Sequence, residues 1–155
     1  MDASKRAQLI EQYEGGYAAV DAALAGITDA ELDARPAENE WTAREIVHHL
    51  ADSEMTSAIR LRRLLAEDNP TIVGYDQEEF ARRLRYNRPI EGSMLAFKGS
   101  RDATAPLLHT LTDDDWQRAG THTESGPYSV ETWLQIYASH GIDHADQIRR
   151  ARASA

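Results

Sequence analysis

The chain has 155 residues, 17 basic and 26 acidic, with a net charge of -9; the length fits one domain with its own core, and the acidic balance argues against sequence-independent nucleic-acid binding, which needs Lys and Arg on phosphates. With no cysteine present, disulfides and thiolate metal sites are excluded, and any metal must be held by His, Asp or Glu. No apolar run approaches the roughly 20 residues that cross a bilayer, and residues 1–10 lack the apolar stretch of a secretory signal, so a cytoplasmic protein is expected.

Helical signals dominate. Over residues 4–25, Leu9, Ile10, Tyr13, Tyr17, Val20 and Leu24 recur at helical spacing. Gly15-Gly16 lies inside this stretch, each glycine about 1 kcal/mol poorer than alanine, and marks a place for a kink. Thr28-Asp29-Ala30-Glu31 is a capping box for a short turn that Pro36 ends. A second long helix starts at Thr42, where Thr42-Ala43-Arg44-Glu45 forms another capping box. It continues through Ile46, Leu50, Ile59, Leu61 and Leu64-Leu65 to a stop at Asn69-Pro70.

Residues 70–89, punctuated by Pro70, Gly74 and Pro89, read as a long crossover with one short helix beginning near Asp76. A third long helix is expected from about Ile90 to Leu111, and Thr112-Asp113-Asp114-Asp115 caps another short turn. The segment 119–128, with Gly120, Gly126 and Pro127, reads as a loop, and Ser129 caps a last long helix running to about Arg152. Almost nothing alternates with the period of a strand. The expected fold is all-α, a four-helix bundle over residues 1-155 with a long crossover between its second and third long helices.

The last helix carries the first sign of chemistry. Trp133, Tyr137, His140, His144 and Ile148 fall on one stripe, the stripe that an amphipathic helix turns inward. Two histidines one turn apart point their imidazoles the same way and can share one metal ion. A lone inward histidine is commonly a core residue, but two buried imidazoles both need partners, which makes an accidental pair costly. A zincin is excluded: that motif needs a Glu directly after the first His, and here Gly141 stands there.

A third ligand is sought on the second long helix, at His48-His49. Adjacent helical residues point about 100° apart, so only one of them faces the site comfortably. His49 lies one turn after Glu45 and in line with Ile46 and Ser53, whereas His48 sits with Arg44 and Asp52 in a more polar neighbourhood. His49 is therefore preferred, with His48 as the alternative. Depth agrees: His49 is about 10 Å past the start of its helix and His144 about 12 Å before the end of its own, similar heights for antiparallel helices. Three imidazoles on two helices leave coordination positions open, the catalytic pattern. His109 and His122 are weaker candidates: His109, near the end of the third helix, reads as structural, and His122 lies in the Gly-Pro loop, from which it could approach the site's mouth. The basic runs Arg60-Leu61-Arg62-Arg63 and Arg82-Arg83-Leu84-Arg85 read first as solvated faces with paired acids, and second as an anion or cofactor site at the bundle mouth.

These residues resemble a known family. The run Trp41-Thr42-Ala43-Arg44-Glu45-Ile46-Val47-His48-His49-Leu50-Ala51-Asp52-Ser53-Glu54 is similar to the first metal motif of the DinB-like superfamily, in particular its YfiT branch. That branch includes bacillithiol transferases and proteins described as metal-dependent hydrolases. Asn69-Pro70-Thr71-Ile72 and Tyr75-Asp76 also match it, and His140-Gly141-Ile142-Asp143-His144-Ala145-Asp146-Gln147-Ile148 is similar to the second motif. The resemblance spans residues 36–150. It implies an up-down-down-up bundle, a zinc or nickel ion on His49, His140 and His144, and a homodimer. In one respect the chain departs from the branch, which often has further histidines where Gly141, Ile142 and Asp143 stand here, so the hydrogen bonds behind the ligands are expected to differ.

Three functions follow as expectations. The resemblance implies a metal-dependent transferase that activates a low-molecular-weight, bacillithiol-like thiol for S-transfer to an electrophile. A metal-dependent hydrolase would activate water, with Asp52, Glu54 or Asp143 as base. A non-catalytic stress-response protein would use its ion only to pin two helices.

Overall fold

The computed structural model describes residues 1–155. Four long helices form the body: α1 (Ala3–Leu24), α3 (Ala43–Ala66), α5 (Glu91–Leu108) and α7 (Val130–Arg152). Short helices α2 (Asp29–Leu32), α4 (Gln77–Arg83) and α6 (Asp113–Gln117) lie in the connections, with strands β1 (Thr71–Ile72), β2 (Ala119–His122) and β3 (Gly126–Ser129). The capping boxes at Thr28, Thr42 and Thr112 all form, each threonine accepting from the backbone N–H three residues on. Asp76 and Ser129 cap α4 and α7 in the same way.

Side-chain contacts fix the course of the bundle. The amino group of Met1 pairs with Glu131 near the start of α7, while Arg152 at its end reaches Glu31 and the carbonyls of Ala23 and Ala25. Helices α1 and α7 therefore run parallel. His48 meets Ser93 near the starts of α3 and α5, and Arg62 meets Thr104 near their ends, so these two are parallel as well. The indole of Trp133, early in α7, donates to the carbonyl of Ser57, late in α3, so the pairs oppose each other. The order is up-down-down-up, which requires the long crossover between α3 and α5.

Helix α1 runs unbroken through Gly15-Gly16, where a kink was expected. Gly16 instead permits a close crossing: a Cβ on Gly141 of α7 would come within 3.0 Å of the Gly16 backbone, and one on Gly16 would overlap the Arg101 guanidinium. Helix α5 stops at Leu108, three residues short of the expected end, because the chain must turn and extend for Thr112 to cap α6.

The expected loop over 119–128 is a β-hairpin. β2 and β3 pair antiparallel and β1 joins β2 in parallel, giving a three-stranded sheet in the order β1-β2-β3. Its strands have two to four residues, too short for the alternation that reveals a strand. The sheet ties the crossover to the segment before α7: the Thr123 N–H donates to Ile72 O, and the Gly74 N–H to Thr123 Oγ1. That tie sets residues 73–75 beside the C-terminal helix.

The apolar core has two parts. One gathers Leu9, Tyr13, Leu61, Leu64, Trp133 and Leu134, and the other Val20, Ile46, Val47, Leu50, Phe97 and Ile148. A polar layer separates them. Glu54 on α3, fully buried, pairs with Arg101 of α5 at 3.0 Å and accepts from the Tyr13 hydroxyl of α1. Arg101 donates onward to the carbonyls of Tyr13 and Tyr137, so one guanidinium joins all four long helices.

Candidate metal centre

His49 of α3 and His140 and His144 of α7 converge beside this polar layer. The Nε2 atoms of His49 and His140 are 3.4 Å apart, and those of His140 and His144 3.2 Å. One nitrogen from each lies within 4.8 Å of the others. Helix spacing explains the pair on α7, and the antiparallel course of α3 brings His49 to the same height. His49 is buried against the Trp41 ring, 4.8 Å between centroids, and the two α7 histidines are half-buried.

His48 is committed elsewhere. Its Nδ1 is 2.7 Å from Ser93 Oγ and its Nε2 3.0 Å from the carbonyl of Arg88, contacts that hold the start of α5 to α3. His109 pairs on the surface with Glu14 at 2.7 Å, a structural role. His122, at the end of β2, turns toward the mouth of the site and lines the same pocket as His140.

The donor set fits a divalent cation. His144 Nδ1 lies 2.7 Å from Gln147 Oε1, an acceptor, so the proton sits on Nδ1 and the Nε2 lone pair faces the other rings. His140 Nδ1 is buried without a partner. Without an ion, converging ring nitrogens are poorly satisfied. Two nitrogens about 2.05 Å from a tetrahedral zinc lie about 3.3 Å apart, close to both short separations. Burial, and then the neighbouring imidazoles, push His49 down to about 3 and His140 down to about 2, and burial lowers His144 as well. The rings are therefore neutral near pH 7, the state that ligates metal.

This has a consequence for stability. The metal-free unfolded chain takes up protons near the ordinary imidazole value of 6.5, well above the folded values for His49 and His140. The stabilisation is full above that value and is lost as pH falls through the window from 6.5 toward 3. The melting temperature of chelator-treated protein should drop between about pH 7.5 and pH 5. A flat profile over that range would contradict the burial of neutral imidazoles.

A pocket of about 320 Å³ opens beside His140. Its wall includes Ser53 and Arg60 from α3, Tyr75 from the crossover, His122 and Tyr128 from the hairpin, and Tyr137 from α7. Arg60 and Arg62 break the expected pattern for the basic runs, and Arg62 donates to Thr104 and to the carbonyls of Ala58 and Ala103. Arg63 pairs with Glu67, and Arg82 and Arg83 pair with Glu79, as solvated faces should. Arg60 has no carboxylate: it donates to the Tyr137 hydroxyl at 3.2 Å and the Val73 carbonyl at 2.7 Å. The signal for it was in the sequence, since Arg60 follows His49 by eleven residues, about three helical turns, and so shares its face. Tyr75 and Tyr128 have no such signal, because a sheet paired across distant segments positions them.

Known proteins share the fold of this chain. The model of the DinB superfamily matches residues 12–148. The chain belongs to the DinB superfamily. Among its relatives, a candidate metal-dependent hydrolase of Oceanobacillus iheyensis is 38% identical over 122 residues, 79% of this chain and 71% of that protein. A second, from Halalkalibacterium halodurans, is 30% identical over 125 residues, 81% of this chain and 73% of its own. The solved structure of YfiT from Bacillus subtilis, described as a probable metal-dependent hydrolase with an unusual four-helix bundle topology, superposes with a TM-score of 0.90 at 29% identity. The match covers 97% of this chain and 87% of YfiT. In this DinB-superfamily chain no helix is long and apolar enough to cross a membrane.

Proposed function

We propose that His49, His140 and His144 hold one zinc or nickel ion and that the chain is a metal-dependent S-transferase for a low-molecular-weight, bacillithiol-like thiol. The observation that carries this reading is a three-imidazole cluster beside a pocket in which no buried carboxylate is free to act as a base. Glu54 is committed to Tyr13 and Arg101, and Asp52 accepts from the Tyr86 hydroxyl at 2.6 Å. Asp143 is exposed. Three neutral imidazoles leave the full charge of the ion uncompensated, and such an ion strongly lowers the pKa of a thiol or water that reaches its open side.

The residues of the chain then have distinct tasks. Gln147 holds the His144 ring with its Nε2 facing inward. Tyr137, three residues before His140, packs its ring 5.8 Å from the His140 ring and limits water on that side. In the reaction the thiol proton passes to solvent, a sulfur–carbon bond forms at the electrophile, and the leaving group departs with its bonding pair.

Hydrolysis is the second reading. It is favoured by the names of the Oceanobacillus and Halalkalibacterium relatives and by Glu124, a carboxylate at the rim of the pocket that could take a proton from water. One assay separates the two. Zinc-loaded protein should convert a chromogenic aryl halide only when cysteine or bacillithiol is added, and chelation should abolish the rate. Turnover of an activated ester without thiol would favour hydrolysis instead, and no metal-dependent turnover of either would sink both.

A further inference from the structure

The pocket beside His140 is built for something negatively charged. Arg60 enters it with no counter-ion, and its Nε is shielded from solvent without a hydrogen-bond partner. The Tyr75 and Tyr128 hydroxyls are in the same condition, and Tyr128 is only 3% exposed. Buried polar groups are normally paired, so three unpaired donors on one wall mark the place of a missing acceptor. Two neighbours add to them. Tyr137 accepts from Arg60, which leaves its own proton to donate. His122 Nδ1 accepts from the Glu124 N–H, so in the neutral ring the proton sits on Nε2.

The wall therefore offers one permanent cation and several neutral donors. The one carboxylate that lines the pocket, Glu124, is exposed at the rim, packs on Gly74 and makes no ion pair with Arg60. Its charge repels a second negative charge at the entrance, which favours a single carboxylate over a phosphate ester. Guanidinium and carboxylate also match in hydrogen-bond geometry.

We infer that the substrate is a small carboxylic acid whose carboxylate is held by Arg60, Tyr75 and Tyr128 while its reacting end faces the three histidines. That this anion belongs to the substrate rests on the metal-centred reading above; the anion site itself stands on the pocket alone. The assignment also explains the crossover. Anchoring β1 to β2 brings Tyr75 to the same pocket as Tyr128, closing a subsite that α3 and α7 alone would leave open.

The test is an NMR titration of the metal-free chain with 3-mercaptopropionate, with its amide, and with inorganic phosphate. The carboxylate should bind saturably and shift the resonances of His122 and Tyr128. Replacing it by the amide, or Arg60 by Met, should weaken binding at least about tenfold, the scale of one charge-assisted hydrogen bond. Tyr128→Phe, which keeps the ring, should weaken it several-fold and guards against a folding defect in the arginine variant. Equal binding of acid and amide, indifference to both substitutions, or tighter binding of phosphate would overturn the proposal. A parallel zinc titration keeps the two readings apart: both variants should bind zinc as the parent does. A parent that binds the carboxylate but not zinc would retain the anion site while removing the metal centre.

Discussion

Arg101→Met should be the most destabilising single change in the bundle that leaves the metal centre intact. Arg101 is 3% exposed, pairs with a fully buried Glu54, and donates to carbonyls on α1 and α7. Methionine fills much of the same volume but leaves Glu54 as an uncompensated charge in the core. Breaking a buried pair in this way costs about 3–5 kcal/mol, a large share of the roughly 5–15 kcal/mol that holds a typical domain together. The check is urea unfolding, in which the midpoint should fall sharply while the slope stays near that of the parent. The double change Glu54→Gln with Arg101→Met should recover part of the loss, since the stranded charge is then gone. If Arg101→Met alone shifts the midpoint by less than about 1 kcal/mol equivalent, the ion pair is not the structural pin that its geometry suggests.

His144→Ala should have the largest effect on metal binding. Its Nε2 lies 3.2 Å from that of His140, and Gln147 fixes its tautomer for ligation. Losing only an outer hydrogen-bond partner of a ligand typically costs about 10–100-fold in affinity. Losing the ligand itself should exceed about a hundredfold, leaving two imidazoles and an ion free to leave. His48→Ala, one residue from His49, should instead leave zinc affinity within a few-fold of the parent, because His48 is bound to Ser93 and Arg88. Competition against a chromogenic zinc chelator measures both variants. If His48→Ala loses zinc and His144→Ala keeps it, the ligand set proposed here is wrong.

Much of the architecture was legible in the sequence because it is written in local signals. Threonine capping boxes mark where α2, α3 and α6 begin, and four-residue spacing marks the inward stripe of α7. The convergence of His49 with His140 and His144 followed from helix periodicity and an antiparallel course. The preference for His49 over His48 rests on the more polar neighbours of His48, Arg44 and Asp52, and in the structure it is His49 that faces the other two rings.

What stayed hidden depends on non-local pairing. β1 has two residues, and the other two strands carry Gly120 and Pro127 in place of an apolar alternation, so nothing local announces the sheet. Tyr75 and Tyr128 reach the pocket only through that pairing. Gly15-Gly16 misled for a different reason: its cost to the helix is local, but its benefit, contact with Gly141 and room for Arg101, comes from the far end of the chain. Arg60 shows both effects, since its face could be read from periodicity, while its lack of an acidic partner required the fold.

The most direct test of the metal centre is X-ray absorption at the zinc edge on protein loaded with one equivalent of zinc. Three nitrogen ligands at about 2.0–2.1 Å with imidazole scattering, falling to two in His144→Ala, is the expected result. An all-oxygen shell, or a spectrum that does not change in the variant, would place the ion elsewhere and leave His49, His140 and His144 as a buried polar cluster without a metal.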